Sequence, residues 1–191
     1  MHRDRFLSQL DAYAAMYPEE QATVDEFCEF VRAHTDCFER SCVPGHVTGS
    51  AWILSRDGRR FLLTHHRKLG KWLQLGGHAD GEGETHVVAM REAFEESGIK
   101  DFGLLATDGD LVPLDIDVHA IPARGDEPEH KHYDVRWLLV AQTDELTVNE
   151  AESKELRWVP MAEMDAYCQE ESLRRMGEKV RSILAHMAHP H

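Results

Sequence analysis

Residues 77–99, GHADGEGETHVVAMREAFEESGI, read as a glycine-rich loop running into one helix. Thr85 suits an N-cap, and Gly98 suits the left-handed residue that ends a helix. Between them Val87, Met90 and Phe94 recur at helical spacing with Ala89 and Ala93 beside them, which predicts that this face is buried. At about 100° per residue, Glu92, Glu95 and Glu96 share a narrow arc on another face, within reach of Arg91. Carboxylates crowded on one turn repel each other. They are either a solvated acidic face or a site for a cation, and so oxygen-rich a site suits Mg²⁺ or Mn²⁺.

The spacing of this stretch resembles the signature of the Nudix hydrolase family, G-x5-E-x7-R-E-U-x-E-E-x-G-U with U aliphatic. Gly77, Arg91, Glu92, Ala93, Glu95, Glu96, Gly98 and Ile99 fall on its fixed positions. Gly83, between Glu82 and Glu84, stands where the first glutamate is expected. The chain also resembles a Nudix subgroup that shares the LGGHADG loop, the HHRKLGKW stretch and an HxHYDxR strand, and that lacks the same glutamate. The resemblance implies an α/β fold, an α/β/α sandwich around a mixed sheet. It further implies hydrolysis of a phosphoanhydride bond in a nucleoside diphosphate linked to another moiety, assisted by Mg²⁺ or Mn²⁺. Carried over by position, Glu92, Glu95 and Glu96 are the metal ligands and Arg91 orients a glutamate. Glu96 is the first candidate for the base, so Glu96, Glu92 and Arg91 form the expected catalytic set. Some family members take the base from a distant loop, where Glu150, Glu152 and Glu155 are available. The alternative is a Nudix-fold nucleotide-binding or sensor module with little or no turnover. Gly83 favours that alternative, and the intact REAFEE run opposes it.

Two further stretches carry charge suited to an anionic ligand. His65 to Trp72, HHRKLGKW, is the most basic segment, and Arg67, Lys68 and Lys71 can either hold phosphate oxygens or form an ordinary basic loop. On the strand beginning at His130, the two-residue period puts His130, His132, Asp134 and Arg136 on one face, which requires solvent or a site. The candidate substrate contacts are therefore Arg67, Lys68, Lys71, Gly77, His78, His132 and Arg136. For a nucleobase, Trp52, Trp72, Phe102 and Trp137 are eligible stacking partners, though all four also suit a core.

Residues 1–42 are expected to be a helical extension and 43–191 the Nudix hydrolase domain. In the extension Phe6, Leu10 and Tyr13 form one stripe, Val24, Phe27, Cys28 and Val31 another, and Pro18 separates them. This segment can pack on the core, shape the pocket or support a homodimer. Strands are expected at 47–54, 60–64, 72–77, 99–105, 111–120 and 130–140, then 156–160, followed by a short helix through Tyr167. A last helix, 171–187, carries Leu173, Met176, Val180, Ile183, Leu184 and Met187 as its buried stripe. The formal charge of −14 argues against nucleic acid and anionic membranes as partners. No apolar run is long enough to span a bilayer and the first residues lack a signal core, so a cytoplasmic protein is expected. The 4 cysteines form no CxxC pair and read as reduced and structural.

Overall fold

Pro18 sets the first boundary. Helix α1 (His2–Met16) stops short of it, a 3-10 turn (Pro18–Glu20) accepts it in first position, where its missing N–H costs nothing, and α2 (Gln21–Ala33) follows. The computed structural model describes residues 2–105, 111–149, 151 and 153–188. The strands are β1 (Gly45–Leu54), β2 (Arg60–His66), β3 (Trp72–Leu73), β4 (Leu75–His78), β5 (Phe102–Leu104), β6 (Asp115–Ile121), β7 (His130–Ala141) and β8 (Ser153–Pro160). The signature helix is α3 (Thr85–Ser97), and α4 (Met164–Tyr167) and α5 (Glu171–Ala188) close the chain. The strands form one mixed sheet in the order β3-β2-β1-β7-β5, with β4 on β1, β6 on β7 and β8 on β2. Among the described residues no helix is long and apolar enough to cross a membrane.

Contacts cluster into two units that share the long strands and α3. One takes Met1–Ser50, Gly76–Ala89 and Ala106–Arg136, and the other Ala51–Leu75, Met90–Leu105 and Trp137–His191. In the first, Phe6 meets Phe27 and Phe38 edge-on, and Phe30 lies flat on Tyr133 of β7 with ring centres 3.8 Å apart. The N-terminal helices thus pack on the sheet, as their apolar stripes suggest. In the second, Trp52 stacks on Phe61 at 4.6 Å, and β2 and β8 pair from Arg60↔Pro160 to His65↔Glu155 before a bulge at His66. Trp52 and Trp137 are fully buried core residues. All four cysteines are free and buried, and burial pushes the Cys37 and Cys42 thiols up to about 11 and that of Cys168 up to about 12.

Three sequence expectations are corrected. The strand expected from Leu111 begins only at Asp115, because Pro113 has no N–H to give the ladder. The stripe on α5 fades toward its end: Leu173, Met176 and Val180 are buried, Ile183 and Leu184 are half-buried, and Met187 is 57% exposed. The third concerns α3. Val87 and Phe94, expected inside, are 44% and 45% exposed, whereas Val88, Ala89, Ala93, Glu96 and Ser97 are buried. The reason lies on β1. A Cβ at Gly49 would stand 2.8 Å from the Thr85 carbonyl oxygen and 2.8 Å from Val88 Cβ. Helix and strand approach closely at Thr85 and Val88, and there the helix turns Val88, Ala89 and Ala93 inward and leaves Val87 and Phe94 outside.

Candidate active site

The close approach of α3 decides how deep its carboxylates sit. Glu96 lies on the buried side and is 5% exposed. Glu92, one turn earlier, has a side chain 12% exposed and accepts a hydrogen bond from Arg91 Nη2 at 2.8 Å. Glu95 is half exposed, with Arg91 Nε 4.0 Å away. Two carboxylates are thus sheltered one turn apart, a third stands at the rim, and an arginine braces the first. Gly98 ends the helix at φ +74° and donates its N–H to the Phe94 carbonyl, in the left-handed role expected of it.

The loop ahead of α3 is held by the N-terminal segment. Gly81 donates its N–H to the Phe38 carbonyl at 2.9 Å, and Arg40 grips Asp80 with two hydrogen bonds of 2.5 and 2.9 Å. Arg5 pairs with Glu84 at 3.1 Å, and His2 stands 3.9 Å from the same carboxylate. Glu82 turns back to accept the Glu84 backbone N–H. Gly83 itself is buried, and a Cβ there would lie 2.7 Å from His2 Cβ. Thus the position of the missing glutamate is covered by the start of α1, and its two acidic neighbours are engaged within the loop and with α1.

Gly77 and His78 lie on β4 and are partly exposed. His78 joins a cluster of imidazoles: its ring centre is 5.0 Å from His46 and 5.1 Å from His132, and His46 in turn is 5.0 Å from His130 and 4.9 Å from His132. Burial pushes His132 down to about 3, with the nearby His78 and His46 adding to it. His78 is pushed down to about 4 by burial, then by Arg40 and His46, and burial lowers His46 as well. His132, His78 and His46 are thereby all biased toward the neutral imidazole. His46 and His119 had no sequence signal, being single histidines on separate strands. Only the register that sets His119 opposite His132 brings the latter pair together.

Arg136 sits 2% exposed among the chain's own carboxylates. Its Nε donates to Asp134 at 2.8 Å, Nη1 to Asp115 at 3.0 Å and Nη2 to Asp117 at 3.2 Å. Thr48 and Ser50 hydroxyls donate to the other Asp134 oxygen at 2.9 and 2.7 Å. Burial alone would push the Asp134 carboxyl up, but the Arg136 guanidinium and the hydrogen bonds hold it below the usual carboxylate range. Of the face that the two-residue period grouped, the Asp134–Arg136 half is thus a buried ion network, while His130 and His132 belong to the imidazole cluster.

In the second unit, Arg67 and Lys68 are exposed in the β2–β3 hairpin, and Lys71 bridges to Glu170 at 2.6 Å. Beside them is a feature the sequence did not mark. Arg157 lies over the half-buried Trp72 ring at 4.9 Å and donates to the Tyr167 hydroxyl at 2.8 Å. Of the alternative bases, Glu155 pairs with Arg157, while Glu150 and Glu152 lie outside the described residues.

Against known proteins, the model of the NUDIX domain matches residues 45–180. No curated protein matches the chain. Among solved structures, a hydrolase of the NUDIX family from Clostridium perfringens is 25% identical, with a TM-score of 0.58 over 72% of this chain and 97% of that one. A C. elegans Ap4A hydrolase binary complex is 18% identical, with a TM-score of 0.57 over 73% and 97%. The NUDIX domain of Shewanella oneidensis NrtR, complexed with ADP ribose, is 15% identical, with a TM-score of 0.50 over 72% and 87%. At these identities the last two are likenesses of fold.

Proposed function

The chain belongs to the Nudix family, a pyrophosphohydrolase lineage, and from that premise we propose a metal-dependent hydrolase that cleaves the phosphoanhydride bond of a nucleoside diphosphate linked to another group. The observation that carries this reading is the pair Glu92 and Glu96, sheltered on one side of α3 with Arg91 bracing the first. Glu92, Glu95 and Glu96 would hold Mg²⁺ or Mn²⁺, which supplies positive charge for the phosphate oxygens and acidifies a water. Glu96, the most buried of the three, takes the proton of the attacking water. Arg91 fixes the Glu92 carboxylate, so that the donor set is in place before substrate arrives. The exposed Arg67 and Lys68 meet the diphosphate, and Trp72, backed by Arg157 and Tyr167, offers an aromatic face to the base. Water attacks phosphorus, the bridging P–O bond breaks, and two phosphate-terminated products leave.

The test is turnover of a panel of nucleoside diphosphate derivatives, in Mg²⁺ and then Mn²⁺, read by chromatography of the two phosphate-terminated products or as phosphate freed from them by an added phosphatase. One compound class is expected to turn over, with Glu96→Gln slower by about 10²–10⁴-fold. Equal turnover in Glu96→Gln removes that residue from the mechanism. A second reading has an observation behind it: Gly83 lies under His2, and neither Glu82 nor Glu84 replaces the missing glutamate. In that reading the protein holds a nucleotide without cleaving it; a similar fold, the NUDIX domain of Shewanella oneidensis NrtR, is complexed with ADP ribose. Thermal stabilisation by a compound that is never hydrolysed would select it.

A further inference from the structure

The imidazole cluster of the first unit is built from three strands: His46 on β1, His78 on β4, and His130 and His132 on β7. His46 is 2% and His130 6% exposed. Four nitrogens in it, both of His46 and the Nε2 atoms of His130 and His132, are buried without a hydrogen-bond partner. Native proteins rarely leave buried polar atoms so. One ring nitrogen from each of His46, His130 and His132 lies within 4.8 Å of the others.

We propose that His46, His130 and His132 bind a late first-row divalent ion, best fitted by Zn²⁺, with His78 placed to complete the coordination. Zn–N bonds of about 2.0–2.1 Å in a tetrahedron set neighbouring imidazole centres roughly 5 Å apart. The His46–His130, His46–His132 and His130–His132 centres are 5.0, 4.9 and 5.3 Å apart. His130 is also oriented for the task. Its Nδ1 lies 2.9 Å from the Pro128 carbonyl, which can only accept, so Nδ1 carries the hydrogen and Nε2 presents its lone pair to the cluster. The Glu127 carboxylate stands 3.9 Å from that Nε2 and adds negative charge at the edge. Nitrogen ligands select Zn²⁺ over the oxygen-seeking Mg²⁺ and Mn²⁺, so this site differs in chemistry from the carboxylates of α3. An ion here ties β1, β4 and β7 together, and β4 leads directly into the loop of Ala79 to Glu84.

The experiment strips the protein with a chelator and titrates Zn²⁺ by calorimetry in excess Mg²⁺, which occupies oxygen sites. A background with His186, His189 and His191 all changed to Gln removes the tail as a rival. One equivalent of Zn²⁺ is expected to bind and to raise the melting temperature. His46→Gln and His132→Gln should each weaken it by at least about tenfold, and Glu96→Gln should leave it unchanged. X-ray absorption of the Zn²⁺-loaded unsubstituted protein should show scattering from three or more imidazoles, a readout that needs no histidine variant to fold. No tight Zn²⁺ in the tail-substituted background, binding as tight in His132→Gln, or a first shell of oxygen without imidazole each overturns the proposal.

Discussion

Replacing Arg136 by Met removes a guanidinium that three aspartates face at 2.8, 3.0 and 3.2 Å. The side chains of Asp115 and Asp134 are 0% and 3% exposed, so water does not take over the guanidinium's role. Breaking a buried pair by deleting one partner costs about 3–5 kcal/mol, chiefly because the remaining charge stays buried. The three contacts share one guanidinium and do not add. For a chain of this size each kcal/mol shifts the midpoint by about 2–4 °C, so Arg136→Met should melt roughly 6–20 °C lower. Denaturation followed by circular dichroism measures this, and Asp134→Asn in the same background should recover part of the loss. The pH dependence has a definite sign. The folded Asp134 carboxyl lies below its ordinary value of 3.8, so its contribution is complete above that value and is lost as pH falls through the lower folded value. The gap between the original protein and Arg136→Met should therefore be widest near neutral pH and narrow in acid. A loss smaller than about 1 kcal/mol, together with a raised KM for substrate, would refute the reasoning and return Arg136 to the substrate contacts.

Gly49→Val should destabilise by about 1–3 kcal/mol through overpacking against Thr85 and Val88. Gly103→Ala, whose added Cβ would meet nothing closer than 3.7 Å, is the control, and equal melting of the two would show that α3 can move away from β1. Gly83→Glu should lower the melting temperature by displacing His2, and His2→Gly in the same chain should restore it. An unchanged midpoint in the single variant would mean that the start of α1 yields without cost. Glu95→Gln, at a half-exposed position, should raise the metal concentration needed for half-maximal turnover and leave stability alone. Identical metal titrations would take Glu95 out of the ligand set.

Much of the fold was legible because local pattern and tertiary packing agree: Pro18 divides the N-terminal helices, and Gly98 ends α3. The inward face of α3 was not legible. Periodicity ranks faces by hydrophobicity, whereas the distance to β1 ranks them by size, and Gly49 sets that distance from 36 residues earlier in the chain. Two-residue spacing correctly grouped His130, His132, Asp134 and Arg136. It carries no information about the facing strand, and the register Asp115↔Arg136 and Asp117↔Asp134 is what turns the Asp134–Arg136 half of that face into an ion network. His46 escaped for the same reason, since a lone histidine acquires meaning only from strands that arrive beside it.

The buried thiols have a use as internal clocks. A thiol held near 11 or 12 and shielded from solvent reacts with a disulfide reagent only when its surroundings open. Cys28, Cys37 and Cys42 belong to one unit and Cys168 to the other, so labelling followed residue by residue times the opening of each separately. Matching rates would describe one cooperative body. Diverging rates would describe two that breathe apart, with the loop before α3 following the clock of the first.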